Sequence, residues 1–449
     1  MRSLFLLLIS AFLVVNAGVA QDKEAKKALR KANSSLNSFN LDQNNNAELA
    51  EAYANIQLAE KDEVLAAESE TWKLKGDIFS AIGSKVLQAK DPTMAQLANT
   101  EGVPEVEMPY LKAFDAYQKA FSMAEKGRDQ RNALDALAGI QNSLVSFGAL
   151  LYDPSEGDYV NAYKHFNATL EAHKLLKDNG EASALDEPAD RYSQQMFYTA
   201  LAAVQGKRTE DAKRLIDELI EMNYEDPLIY ELMYSIVSED GDQEEAYKYL
   251  QIGRERYPDT TSLLFAEINH FLRLGKLDVL ITRLEEGIEA EPDNPSLYAT
   301  MGSVYDQLYQ KALEAGEEDA QKYFDKALEY YDKALELDAD NVNATYSIGA
   351  LYYNKAALMS KDLAELEGDY SKEGTAKYEA LQDKIFTEFD KALPYFQKAE
   401  SLDPNDRNTL IALKEIYAKK NDIDMSNEFK ERLDKLEAGE TNESSYFNK

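Results

Sequence analysis

Residues 294–313 read NPSLYATMGSVYDQLYQKAL, and residues 324–341 read FDKALEYYDKALELDADN. The first stretch opens with Asn294 before Pro295, a side-chain acceptor followed by the residue that best tolerates the first helical position. In the second, Ala327 and Ala334 lie seven residues apart with Tyr331 between them. Two small residues two turns apart on one helix face let a partner helix approach, and the tyrosine fills the space between. Gly302 sits inside the first helix, where glycine costs about 1 kcal/mol relative to alanine. Its presence there predicts that a neighbouring backbone crosses close by.

The pattern recurs outward in both directions. Segments beginning at Ser193, Pro227 and Thr261 are each 34 residues long without a gap, and the next begins at Pro295. Three consecutive units at one period are the mark of a repeat array. The small–large–small triad returns as Ala246, Leu250 and Gly253, and as Ala392, Phe396 and Ala399. Pro258, Pro292, Ala339 and Pro404 follow these second helices at a fixed offset. The mid-helix pair of Gly302 and Tyr305 returns as Gly349 and Tyr352, and near the start as Trp72, Gly76 and Phe79.

These residues make the chain resemble the tetratricopeptide repeat family, whose pattern is W-x2-L-G-x2-Y, then A-x3-F, then P. The resemblance is specific over 193–440 and weaker back to about residue 27, through Leu49/Tyr53/Ile56, Ala113/Tyr117/Ala120 and Ala162/Phe166/Thr169. It implies an all-α, right-handed solenoid of about nine antiparallel helix pairs, starting near residues 27, 69, 130, 193, 227, 261, 295, 342 and 407. Each pair buries its apolar face only against its neighbours, which lets the array exceed the size limit of a single core. Most of the 28 tyrosines fall on packing places, Tyr305, Tyr331, Tyr352 and Tyr417 among them.

Three units carry insertions, and the one over residues 90–109, with Pro92, Pro104 and Pro109, should be irregular. From Tyr305 to Ala327 is 22 residues, and from Tyr352 to Ala392 is 40, where an uninterrupted unit uses nine. These two insertions, near 307–322 and 355–390, keep helical composition, so they should lengthen both helices of their hairpins. The longer one should project roughly 20 Å at 1.5 Å per residue. The expected organisation is a signal peptide over 1–20, degenerate helix pairs over 21–177, a linker over 178–192, the regular array over 193–440 and a disordered tail over 441–449.

Arg2 and the largely apolar run Leu4–Val15, in which Ser10 is the one polar residue, followed by Gly18 and Ala20, read as an export signal cleaved before Gln21. A run of twelve residues is too short to span a bilayer, and no other run approaches membrane length. Cysteine is absent, which suits a bacterial periplasm, with secretion to the medium as the alternative. The net charge of −33 becomes −34 once Arg2 is lost, and it argues against nucleic acid and anionic membranes. It admits a basic protein partner and serves solubility.

No catalytic constellation is legible, so the chain reads as a non-enzyme without cofactor. His165, His173 and His270 lack zinc spacing, and no phosphate loop appears. Asp42, Asn44, Asn46 and Glu48 imitate a calcium loop but have Ala47 and Tyr53 where glycine and glutamate belong. The family resemblance implies a concave groove lined by first-helix residues. Carried over, those places hold Phe197, Phe265, Asn269, Asp306, Gln307, Asn343, Tyr346, Tyr353 and Asn354, together with Glu231, Ser235, Ser296 and Ser303. Relatives that clamp a terminal carboxylate use lysine at the place held here by Phe197, Glu231, Phe265, Ala299, Tyr346 and Ile411, so the clamp reading fails. Aromatics, amides and hydroxyls instead suit an extended peptide or a helix. The expected function is a scaffold or adaptor in the bacterial envelope, with glycan or peptidoglycan binding as the alternative.

Overall fold

The computed structural model describes residues 23–90, 95–96, 98–153, 157–317, 319–366 and 368–448. All regular structure among them is helical. The expected signal over 1–20 lies outside the described residues. The chain forms two compact units, Met1–Ala246 and Tyr247–Lys449, whose division falls inside one helix.

The first unit holds α1 at residues 23–41, α2 (Asn46–Ala59), the single-turn α3 (Glu63–Ala66), α4 (Ser69–Lys90) and α5 (Pro109–Met123). It continues through α6 (Gly127–Leu151), α7 (Tyr159–Asp178), α8 (Arg191–Gln205), α9 (Thr209–Glu221) and α10 (Leu228–Glu239). The division cuts α11 (Gln243–Arg256). The second unit follows with α12 (Thr261–Leu274), α13 (Leu277–Ala290), α14 (Pro295–Ala315) and α15 (Ala320–Leu337). Its last helices are α16 (Val342–Glu365), α17 (Lys372–Leu402), α18 (Arg407–Lys419) and α19 (Ile423–Glu437). With α3 set aside, the helices among the described residues follow the order of nine helix pairs, a helix-repeat architecture.

Local chemistry places these boundaries. Asn294 accepts from the Ser296 amide at 3.1 Å and Asn341 from the Ala344 amide at 2.9 Å, capping α14 and α16. The first helices α12 and α14 each end on a left-handed glycine, Gly275 at φ 63° and Gly316 at φ 68°. The amide two residues past the helix then returns to a carbonyl inside it, as Lys276 does to Phe271 at 3.2 Å. Consecutive helices pack against each other from α4 to α10 and from α12 to α19, and alternate helices also touch: α4 with α6, α5 with α7, α14 with α16. In these places first helices lie beside first helices, and α5 beside α7 sets second beside second.

The repeat places behave as packing residues. Ala327, Ala334, Ala392 and Ala399 are fully buried, and Tyr331 and Phe396 nearly so. Ala246 is buried too. The mid-helix glycines correct one expectation, because what crosses them is a ring of the paired helix and not a backbone. A Cβ at Gly302 would lie 2.5 Å from Tyr331, at Gly76 2.4 Å from Tyr117, and at Gly349 3.1 Å from Phe396. Tyr305 and Tyr352 are only half-buried; Tyr305 stacks on Tyr330 with centroids 5.5 Å apart. Trp72 departs further from a core role. Its indole N–H holds the Ala66 carbonyl at 2.7 Å, and Lys119 lies 3.6 Å from its ring centroid.

Helices α16 and α17 run to 24 and 31 residues, so the long insertion is helix on both sides of its turn. Helix α6 passes the length and composition test for a membrane span, contrary to the expectation that no other run would. Its apolar side, Leu134, Leu137, Ile140, Leu144 and Phe147, is buried in the first unit, as in an amphipathic core helix.

Two segments expected to be loose are packed. Within 178–192, Leu185 is buried and Gln141 accepts from the Ser183 hydroxyl and the Ala184 amide at 3.1 and 2.8 Å. Within 441–449, Asn442 and Ser445 are buried against α17 and α19. Both segments are polar, and in each the buried polar groups are bonded to protein.

Candidate functional site

The first helices of the three N-terminal pairs turn one side toward a cleft of about 950 Å3. Helix α4 supplies Glu70, Lys73, Asp77 and Ser80, spaced three, four and three residues along one face. Helix α6 supplies Asp129, Asn132 and Ala136 at the same spacing, with Arg128 and Asp135 beside them. Helix α1 adds Leu29, Arg30 and Asn33, while Leu74 and Ile140 give the floor an apolar component.

Packing against α5 explains how the floor is held. Gly76 leaves room for the Tyr117 ring from α5, so the tyrosine hydroxyl reaches Asp77 Oδ1 at 3.0 Å. Lys73 Nζ donates to Asp77 Oδ2 at 2.8 Å. Burial first, then the Asp77 charge, push the Tyr117 hydroxyl far above the usual phenol range, so it stays a donor. Around this chain stand both signs of charge: Arg30, Lys73 and Arg128 against Glu70, Asp77, Asp129 and Asp135. The cleft is thus close to neutral in a protein of net charge −33. No nucleophile–base pair is assembled in this lining. Its groups suit recognition of a polar chain by amides and charges.

Sequence reasoning missed this cleft by carrying groove places over only from residue 193 onward. With Trp72 and Gly76 already in register, the same places give Glu70, Lys73, Asp77 and Ser80. Lys73 therefore stands where Phe265 and Tyr346 stand in later helices. A carboxylate clamp still does not form, because Asp77 occupies the next place and takes the lysine for itself.

The expected groove residues are scattered in environment. Phe197 is buried and stacks on Tyr224 with centroids 5.3 Å apart, so it is packing. Phe265 is half-buried against the core of α12–α14, and Asn269 is exposed beside it on α12. Asp306 is half-buried, with burial raising its pKa, and it accepts from Gln310 at 3.3 Å. Gln307 and Asn343 are exposed and Asn354 is half-buried. Tyr346 and Tyr353 do not point away from helix contacts. Both pack on Phe396, at 5.7 and 6.3 Å, and the Tyr353 hydroxyl donates to Glu415 of α18.

The histidines are structural in setting. His165 is fully buried, stacks on Phe147 at 4.9 Å and gives its Nδ1 proton to the Asn161 carbonyl at 2.7 Å. His173 stacks on Tyr192 and meets the Ser183 hydroxyl, and His270 stacks on Tyr247. Asn46, once a calcium-loop candidate, spends its amide on the Asn99 and Glu101 carbonyls at 3.0 and 2.9 Å. Among the described residues no group of three acids and histidines could hold a metal ion.

No family model and no curated protein matches the chain. Solved structures do. A TPR repeats protein, BF2334 from Bacteroides fragilis, aligns at 23% identity over 50% of this chain and 98% of its own, with TM-score 0.31. YrrB, described as a TPR protein with an unusual peptide-binding site, aligns at 17% identity over 50% of this chain and 98% of its own, with TM-score 0.34. The human IFIT1 dimer with PPP-AAAA aligns at 14% identity over 93% of this chain and 95% of its own, with TM-score 0.28. At these scores the function rests on the chain's own residues.

Proposed function

We propose that this protein is a non-catalytic helix-repeat scaffold that holds an extended polypeptide segment across α1, α4 and α6. The observation that carries the reading is a cleft lined by three first helices with amides, both charge signs and an apolar floor. An extended chain presents backbone N–H and C=O groups that Asn33 and Asn132 can meet, and charged side chains that either sign can answer. Two helix-to-helix steps of about 8–10 Å accommodate roughly six extended residues. The short apolar run ahead of Gln21 and the absence of cysteine support a place in the bacterial envelope, which sequencing the amino terminus of the exported protein tests. The acidity of the chain favours a partner of net positive charge.

The test begins by selecting heptapeptides from a display library on the intact chain. Asn33→Trp and Asn132→Trp narrow the cleft from exposed positions on α1 and α6. The selected peptides should bind the double variant at least tenfold more weakly, about 1.4 kcal/mol. Equal affinity for both proteins would remove the cleft from consideration.

A further inference from the structure

After α19 the chain turns at Gly439, φ 81°, and residues 440–448 run back over the second unit without helix or strand. What holds them is a set of specific contacts to α17, α19 and the turn after α17. Glu400 is fully buried, and its carboxylate takes the Ser445 hydroxyl at 2.5 Å and the Tyr446 amide at 2.8 Å. Arg432 of α19 pairs with Glu400 at 3.1 Å and donates to the Ser444 carbonyl at 2.9 Å. Three residues earlier, the Asn442 amide donates to Asn405 Oδ1 at 2.8 Å, and its side chain donates to the Pro404 carbonyl at 3.1 Å. Tyr446 and Phe447 then set their rings on Phe429, each with centroids 5.7 Å apart. Between the anchors, Glu443 and Ser444 are exposed.

A charge anchor, an amide anchor and an aromatic platform, reading side chains at fixed spacing along an irregular chain, are the parts of a peptide-recognition site. We propose that this face of α17 and α19 is a second peptide-binding site, separate from the α1–α4–α6 cleft. In this structure it is filled by the protein's own 442–447 segment. It accepts in trans a peptide of the same chemistry: an amide residue, then three positions later a small hydroxyl residue followed at once by two aromatics. The buried Glu400 gives the selectivity. A ligand lacking the hydroxyl and the free amide would leave that carboxylate with Arg432 alone, and unmet buried acceptors are costly. Tethering gives the resident segment an effective concentration near millimolar, so the site opens to a competitor only when the segment is detached.

The experiment places a protease site between Gly439 and Glu440, which are exposed, in the full chain. After cutting, dialysis removes the released segment, and a fluorescent peptide of residues 440–448 is titrated into cut and uncut protein. We expect the cut protein to bind the peptide at least tenfold more tightly than the uncut one. A peptide carrying Ser445→Ala, or cut protein carrying Glu400→Gln, should each lose at least tenfold in affinity. Equal binding to cut and uncut protein would overturn the proposal, as would folded cut protein that ignores the peptide. A cut segment that neither leaves nor exchanges, or whose loss unfolds the second unit by near-ultraviolet circular dichroism, would make it part of the core and overturn the proposal too.

Discussion

A single missing methyl group at Gly302 decides how closely α14 and α15 pack, because a Cβ there would sit 2.5 Å from the Tyr331 ring. We expect Gly302→Ala to destabilise by about 1–3 kcal/mol, the usual range for overpacking, despite the better helix propensity of alanine. Gly139, inside α6 with nothing within 4 Å of where a Cβ would stand, is the control. There Gly→Ala should stabilise by up to about 1 kcal/mol. Urea melts of the two variants should move in opposite directions, and parallel shifts would refute the ring-on-glycine account. His165 makes a second residue-level test. Burial, the main cause, lowers its pKa from 6.5 to about 4, so the fold prefers the neutral ring. Its contribution is intact above pH 6.5, declines as the unfolded chain takes the proton, and is fully lost below about 4. Between pH 7 and pH 5 the loss is about 2 kcal/mol. His165→Gln should remove that part of the pH dependence, and an unchanged profile would place its origin elsewhere.

At the scale of helices, the alanine–aromatic–alanine triads and the 34-residue period made the pairs legible in the sequence, since each triad records one helix meeting its partner. Which side of a first helix stays open was not legible, because that depends on what the neighbouring pair covers. Tyr346 and Tyr353 show the difference. They hold groove places by count, yet α17 and α18 reach across to take them, through Phe396 and Glu415. Their removal should therefore weaken the fold itself. We expect Tyr353→Phe to cost about 1 kcal/mol through the lost link from α16 to α18. Tyr353→Ala should cost about 3 kcal/mol. Thermal melts in which the alanine variant matches the parent would return Tyr353 to the list of free groove residues. The 441–448 segment was illegible for a related reason. Its polar residues look solvated until Arg432, and Glu400 from 45 residues away, are seen to meet them.

Over the whole molecule, the charge of −33 works against compactness, and added salt should relieve it. The screening length shortens from about 30 Å at 0.01 M to about 8 Å at 0.15 M. The thermal midpoint should rise over that range, and a basic peptide bound in the cleft should dissociate more readily. A midpoint that falls with salt would show that the ion pairs, such as Arg254 and Arg283 with Glu267, outweigh the repulsion. Composition announced this charge but not its distribution, in which the near-neutral α1–α4–α6 cleft stands apart. Hydrogen–deuterium exchange on the intact chain, with and without a saturating library-selected heptapeptide, tests that cleft most directly. The account predicts slowed exchange in α1, α4 and α6 together, with the Gly76–Ser80 turn of α4 among the protected amides. Protection confined to α12–α18, or absent from those three helices while the peptide is bound, would contradict it.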